Sequence, residues 1–343
     1  MKRILFLSAK RSLARLFWPE ECFPIAEQYG FSVEIPAWES DCAMAELLAG
    51  DLTPYSGFLT TWDSPCCDGK LLARAPNLRM IGHLGGSTAV VADDSTFARG
   101  VRVSSCNTLM AHRVAEWSLM ATLMAARNFL INSYNGRENR MVFGRRQELA
   151  DTASLTVGIW GLGAISRELL NMLAPIRFRK ILIFSEHAAP ELLDALGAEA
   201  APSLSALFQR SDIVHLLAGA TAKNLGRVGR MELEALKPGS TLINAGRARL
   251  VQEDALMNVL RRGEIRAMLD VFYQEPLPPD HELFRLPNVF CTPHDAGTPG
   301  MRQYAAFMLE EFRRFYAGEP LAGEINAGHN AQMTDERLWR QPV

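Results

Sequence analysis

Short runs of apolar and β-branched residues, five or six long, recur through the chain and alternate with longer stretches of helical period. In the first third they are RILFLS (3–8), SVEIP (32–36), GFLTT (57–61), RMIGHL (79–84) and VRVSS (101–105). A second series follows: LTVGIW (155–160), KILIFS (180–185), DIVHLL (212–217), STLINA (240–245), RAMLDV (266–271) and NVFCT (288–292). Runs this short, bounded by turn residues, predict buried strands. Their alternation with helices predicts parallel sheets covered on both faces. Two series predict two α/β units.

A helix expected over 111–130 separates the series and holds the longest apolar stretch, WSLMATLMAA (117–126). Ten residues cannot cross a bilayer, so this reads as a core helix. A polar loop, 132–154, follows it. The last amphipathic helix, 301–317, has no strand left to join in the second unit and is expected to fold back onto the first. The expected division is therefore 1–105 plus 297–330 in one domain, 106–296 in the other, and a polar tail at 331–343; the polar stretch 327–343 is expected to be loosely held unless it packs on a partner.

Composition narrows the function classes. The 343 residues are 48% apolar and 22% charged with a formal net charge of -2, which describes a soluble globular protein. No basic stripe points to nucleic acid and no juxtamembrane basic cluster to a membrane. Six cysteines (Cys22, Cys42, Cys66, Cys67, Cys106 and Cys291) lack zinc-ligand spacing, so no metal is expected. The opening MKRILFLSAKRS reads as a first strand rather than an export signal, which makes a reducing cytoplasm the expected compartment.

The segment TVGIWGLGAISRELLNML places glycines between a strand and a helix. Gly161 would allow the tight turn, and Gly163 the close approach of phosphate oxygens to the backbone. The helix N-terminus beyond would favour the pyrophosphate charge. The candidate cradle runs Gly161, Leu162, Gly163, Ala164, Ile165, Ser166, with serine where a third glycine is usual. Such a turn also occurs without a ligand, but the strand–turn–helix–strand order around it favours a dinucleotide. The second strand ends IFSEH, so Ser185 or Glu186 stands where an acid would accept from the adenosine ribose. Glu186 would repel a 2′-phosphate, which favours NAD over NADP. His187 could soften that preference, so NADP is not excluded.

Three later segments carry a resemblance: INAGRARLVQEDAL (243–256), MLDVFYQEPLPP (268–279) and TPHDAG (292–297). They resemble the signature segments of the D-isomer-specific 2-hydroxyacid dehydrogenases, and the likeness extends over nearly the whole chain. It implies a flavodoxin-like substrate domain and a Rossmann cofactor domain, both doubly wound, with the active site in the cleft between them. It further implies Arg247 on the substrate carboxylate, His294 as general acid/base, Glu275 holding His294 in its working tautomer, and Asp270 on the nicotinamide carboxamide. Further cofactor contacts are implied at Ala218, Gly219, Asn224 and Ala245. A homodimer through the cofactor domain, built on the 111–130 helix and the loop after it, is also implied. The chemistry is consistent in itself: a guanidinium suits a carboxylate, and a histidine beside a carboxylate suits a proton donor near neutrality.

The chain departs from the family pattern in four places. Ala248 follows the arginine where glycine is usual, and GEIRAMLDVF is one residue short. LAG (217–219) replaces H-x-P, with His215 two places early. HLGGSTAVV (83–91) replaces a G-x-G-x-D loop, although Gly85 and Gly86 can still offer amides to a substrate carboxylate. Trp62, in TTWDSPCC, either packs in the core or shapes the substrate pocket, which would then suit a bulkier acid. These departures keep a second reading open, an NAD(H)-sensing protein similar to the family's co-repressor members, with little or no turnover. Formate oxidation is disfavoured, because formate dehydrogenases typically carry glutamine where Glu275 stands.

Overall fold

The computed structural model describes residues 1–138, 150–186 and 188–339. His187, residues 139–149 of the polar loop and residues 340–343 of the tail lie outside these. The chain divides into two compact units, Met1–Met110 with Thr298–Val343, and Ala111–Gly297. The division falls inside the helix Asn107–Ala126, rather than just before it at 105/106.

In the first unit, β1 (Lys2–Leu7), β2 (Phe31–Glu34), β3 (Gly57–Thr60), β4 (Met80–His83) and β5 (Arg102–Ser105) form a parallel sheet. Its order is β5-β4-β3-β1-β2, with a short antiparallel strand, Glu324–Ile325, added beside β5. The helix Gln303–Ala317 packs on this sheet, and two glycines make room for it. A Cβ on Gly82 would lie 2.5 Å from Met308 Sδ, and one on Gly57 would lie 2.5 Å from Phe312 Cε1. Met308 and Phe312 are fully buried there. Between them the buried Glu311 accepts from Ser104 Oγ (2.7 Å) and from the Ala322 and Gly323 amides (both 2.9 Å), which fixes the last strand.

The tail differs from expectation. Asn330 and Met333 are buried against the first unit's own loop. Thr88 Oγ1 donates to Asn330 Oδ1 (2.6 Å), Asn330 Nδ2 to Ala92 O (3.1 Å), and Ser87 Oγ to Thr334 O (2.6 Å). Met333 and the doubly bonded Asn330 dock the start of a segment that reads as mostly polar.

The second unit carries β6 (Thr156–Trp160), β7 (Lys180–Phe184), β8 (Glu199–Ala200), β9 (Ile213–Leu216), β10 (Thr241–Asn244), β11 (Arg266–Leu269) and β12 (Val289–Cys291). All pair in parallel, in the order β12-β11-β10-β9-β6-β7-β8. This is a doubly wound sheet whose order reverses between β6 and β9, and ligands bind such sheets at the carboxyl ends beside that reversal. The helix Asn107–Ala126 buries a face of small residues, Ala115, Ser118, Ala121, Thr122 and Ala125, which lets it lie close. It stops earlier than 130, because Asn128 takes the left-handed conformation (φ 50°) and a separate helix, Phe129–Arg137, begins. No helix among the described residues is long and apolar enough to cross a membrane.

Candidate active site

Each segment singled out in the second half of the chain sits where a strand of the second sheet ends. Gly161 follows β6 with φ 101°, and a Cβ there would lie 2.7 Å from the backbone of Ala218, which follows β9. Only glycine meets both conditions. Ser166 does more than replace a glycine by a small residue. Fully buried, its Oγ donates to Gly161 O at 2.9 Å and ties the helix Ala164–Leu173 back to the turn. Leu162 and Ile165 pack against the core below. Gly163 stands at the N-cap of that helix with no side-chain cap, and a Cβ on it would meet nothing within 4 Å. Uncapped helix amides beside open space suit a diphosphate, so the residues present fit a dinucleotide. Ala218 and Gly219 form one turn with Asn224, whose Nδ2 donates to Gly219 O at 2.9 Å.

Ser185 and Glu186 follow β7. Glu186 lies in an ion pair with Lys223 and another with Arg227 (3.0 Å to Nη1). The Lys223 and then the Arg227 hydrogen bonds hold its carboxyl below the usual range. Neither cation is visible as a partner from the sequence, since both come from the turn after β9.

After β10 the buried Asn244 folds the arginine turn. Its Oδ1 accepts from the Gly246 amide (3.1 Å) and its Nδ2 donates to Arg247 O (3.1 Å). Ala245 is buried within this turn, and the half-buried Arg247 is set at its end. Asn244 is a positioning residue that sequence reasoning passed over, although it stands in the quoted segment.

Asp270 and Thr292, at the ends of β11 and β12, organise the histidine loop. Asp270 is 1% exposed and accepts from Thr292 Oγ1 (2.6 Å) and from the Asp295 (3.0 Å) and Ala296 (3.1 Å) amides. Burial pushes its carboxyl up, against the lowering effect of these donors. Most of its acceptor capacity is therefore spent on the loop that carries His294. That histidine sits at φ 56°, a backbone conformation uncommon outside glycine. Its Nδ1 lies 2.7 Å from Glu275 Oε2, while Glu275 Oε1 accepts the Phe272 amide at 2.9 Å. Burial alone would raise the Glu275 carboxyl. The His294 hydrogen bond, the Phe272 amide and the charges of His294 and Arg247 outweigh it and hold the group below its usual range. An ionised Glu275 favours the tautomer with its proton on Nδ1, which leaves Nε2 outside this pair.

Two other histidines, His215 and His83, behave differently. His215 is fully buried, bonds Thr122 Oγ1 at 2.9 Å, and is pushed down to about 3 by burial, so it is a neutral core residue. His83 is likewise buried, bonds Thr60 Oγ1 at 3.0 Å, and is pushed down to about 4.

In the first unit, Gly85 and Gly86 follow β4 and Trp62 follows β3. A Cβ on Gly85 would lie 2.5 Å from His83 Nε2 and 3.2 Å from Trp62 Nε1, so these three are neighbours. Gly86 packs on Met110, whose Sδ would stand 2.9 Å from an added Cβ. Trp62 is 46% exposed and meets the buried Phe17 edge-on at 4.9 Å, so it is not a core residue. Among the described residues no group of three or more His, Cys, Asp or Glu could hold a metal.

Residues 119–296, most of the second unit, match the family described as D-isomer specific 2-hydroxyacid dehydrogenase, NAD binding domain. The chain belongs to this family. Among its curated relatives, D-3-phosphoglycerate dehydrogenase of Mycobacterium bovis is 30% identical over 315 residues, covering 90% of this chain. The chain spans only 58% of that relative's length. Formate dehydrogenase 2, mitochondrial, of Oryza sativa subsp. japonica is 29% identical over 269 residues, covering 76% of this chain and 71% of that one. Among solved structures, a D-isomer specific 2-hydroxyacid dehydrogenase from Xanthobacter autotrophicus Py2, in complex with NADPH and MES, is 26% identical. It superposes with a TM-score of 0.73, covering 96% of this chain and 99% of that one.

Proposed function

We propose that this family member is an NAD(P)-dependent oxidoreductase that interconverts a 2-hydroxy acid and a 2-oxo acid. The observation that carries the reading is the His294–Glu275 pair at 2.7 Å, with the Arg247 charge acting on the same carboxylate, at the carboxyl edge of a sheet that also bears the glycine turn. The glycine turn from Gly161 to Ser166, with Ser185, Glu186, Ala218, Gly219, Asn224, Ala245 and Asp270, would hold the dinucleotide. Bound nicotinamide supplies the hydride for C2.

Arg247 would take the substrate carboxylate and draw electron density toward the C2 oxygen. As the C=O π bond breaks, His294 Nε2 would give its proton to that oxygen, and Glu275 would hold the ring and offset the charge on it. Oxidation runs the same proton the other way. Gly85 and Gly86 amides would assist with the carboxylate. The exposed indole of Trp62 supports a substrate with a sizeable apolar group at C3. A carboxylate at position 275 also separates this chain from formate oxidation. The exposed Met120 and Leu123 (each 40%) and Phe129 (51%) support a homodimer through the Asn107–Ala126 helix and its successor.

The test is NADH and NADPH oxidation against a panel of 2-oxo acids, from glyoxylate and pyruvate to phenylpyruvate, with His294→Ala beside it. Turnover that falls by about 10²–10⁴-fold in the variant is expected. Tight dinucleotide binding with no turnover on any acid would replace this reading with the sensor.

A further inference from the structure

The end of the second Rossmann strand is where a dinucleotide's adenosine ribose is read, and an acid there ordinarily selects NAD. Here that acid does not stand alone. Glu186 is bracketed by Lys223 and Arg227, both from the turn after β9, which leaves the cluster one net positive charge. Lys223 is the more exposed of the two, at 67%, whereas Arg227 is held in place by its neighbours. The guanidinium of Arg227 lies over the Phe184 ring, 5.2 Å from its centroid, and donates to Asn224 Oδ1 at 3.4 Å. Arg227 is only 28% exposed. The turn that carries both is braced from the other side, by Gly226 N to Arg249 O (2.8 Å), Val228 N to Leu250 O (3.0 Å) and Gln252 N to Val228 O (2.8 Å). A stacked, permanently charged guanidinium beside a lysine is the donor set that a dianionic phosphate monoester takes, the one forking across two oxygens and the other acting as a point charge.

We propose that Lys223 and Arg227 are the cofactor-specificity residues of this chain, and that they accept the 2′-phosphate of NADP(H), with Glu186 as an internal counter-anion that the phosphate displaces. The inference rests on the dinucleotide site proposed above. It reverses the NAD preference that Glu186 alone implies. Before nucleotide binds, Glu186 holds the two cations in place, so the phosphate finds its donors already assembled. With NAD, the same carboxylate is already committed to two ion pairs and is a poorer acceptor for ribose hydroxyls.

The experiment is direct binding, by calorimetry, of NADPH, NADH, 2′,5′-ADP and 5′-AMP to the full chain. It is repeated on Lys223→Ala/Arg227→Ala and on Glu186→Gln. Wild type is expected to bind 2′,5′-ADP at least about tenfold more tightly than 5′-AMP, with an advantage that shrinks as salt rises. The double variant should lower the NADPH-to-NADH affinity ratio by about tenfold or more, and Glu186→Gln should raise it. Binding of NADH with no measurable binding of NADPH would overturn this inference alone, as would a ratio unmoved by the double variant. Failure of all four ligands to bind would instead remove the dinucleotide site on which it stands.

Discussion

Glu275 is the residue whose protonation decides whether the His294 arrangement exists. Its carboxyl is held below the ordinary range because hydrogen bonds from His294 and the Phe272 amide, with two nearby positive charges, outweigh its partial burial. A depressed carboxylate contributes its stabilisation above its unfolded value, about 4.3 for a glutamate, and loses it as pH falls through the lower folded value. The pair therefore survives mild acid. The acid limb of kcat/KM for oxo-acid reduction is expected below the ordinary carboxylate range in the wild type. Glu275→Gln should lack that limb and lower kcat by about 10²-fold, because an amide fixes neither tautomer. A pH profile on both proteins reads this directly. An unchanged acid limb in the variant would assign the limb to another group. Asp270 acts one layer below, since its bonds to Thr292, Asp295 and Ala296 shape the loop that puts His294 at a positive φ.

At the scale of elements, the helix Gln303–Ala317 and the first sheet are fitted through missing Cβ atoms. Gly82→Ala would bring a methyl within 2.5 Å of Met308 Sδ and 2.9 Å of Phe312 Cε2. Overpacking of this kind costs about 1–3 kcal/mol, and denaturant unfolding should report it. The cost should shrink in a Met308→Ala background, where the closer clash is gone and only the 2.9 Å approach to Phe312 Cε2 remains. Equal costs in both backgrounds would mean that the Met308 contact is not its source. What was legible in the sequence follows the same division between local and distant causes. Strands such as β1 and β7 each hold four consecutive apolar residues, and the turn from Gly161 to Ser166 is a local pattern, so both could be read. The two-residue β8 and the strand Glu324–Ile325 carry no run long enough to show. The stop at Asn128 depends on one residue taking a left-handed conformation. Arg247, Glu275 and His294 were legible as a resemblance, and the Asn244 turn is local but carries no pattern of its own; the Asp270 bonds and the pairing of Glu186 with Lys223 and Arg227 arise between segments far apart in the chain.

For the whole molecule, the two units differ in how the chain builds them. The second is contiguous, from Ala111 to Gly297, and among the described residues all seven of its strands pair within that span. The first is closed by the far end of the chain. Tyr304, Ala305, Met308, Leu309 and Phe312 lie in one buried cluster with Ile4, Phe6, Phe31 and Met80, and Glu311 anchors the strand beside β5. Truncating a single buried Phe to Ala typically costs about 3–5 kcal/mol, against a typical domain stability of about 5–15 kcal/mol. Losing the whole helix removes several such groups at once and bares the grooves at Gly57 and Gly82. A fragment of residues 1–110 is therefore expected to stay unfolded by near-ultraviolet circular dichroism and amide exchange. A fragment of residues 107–297 should fold with a single cooperative transition. Adding residues 298–339 to the first fragment through a flexible linker should restore its fold. A folded 1–110 fragment would show that the sheet covers its core without the returning helix, and the cluster around Phe312 would then be a late addition rather than a condition for folding.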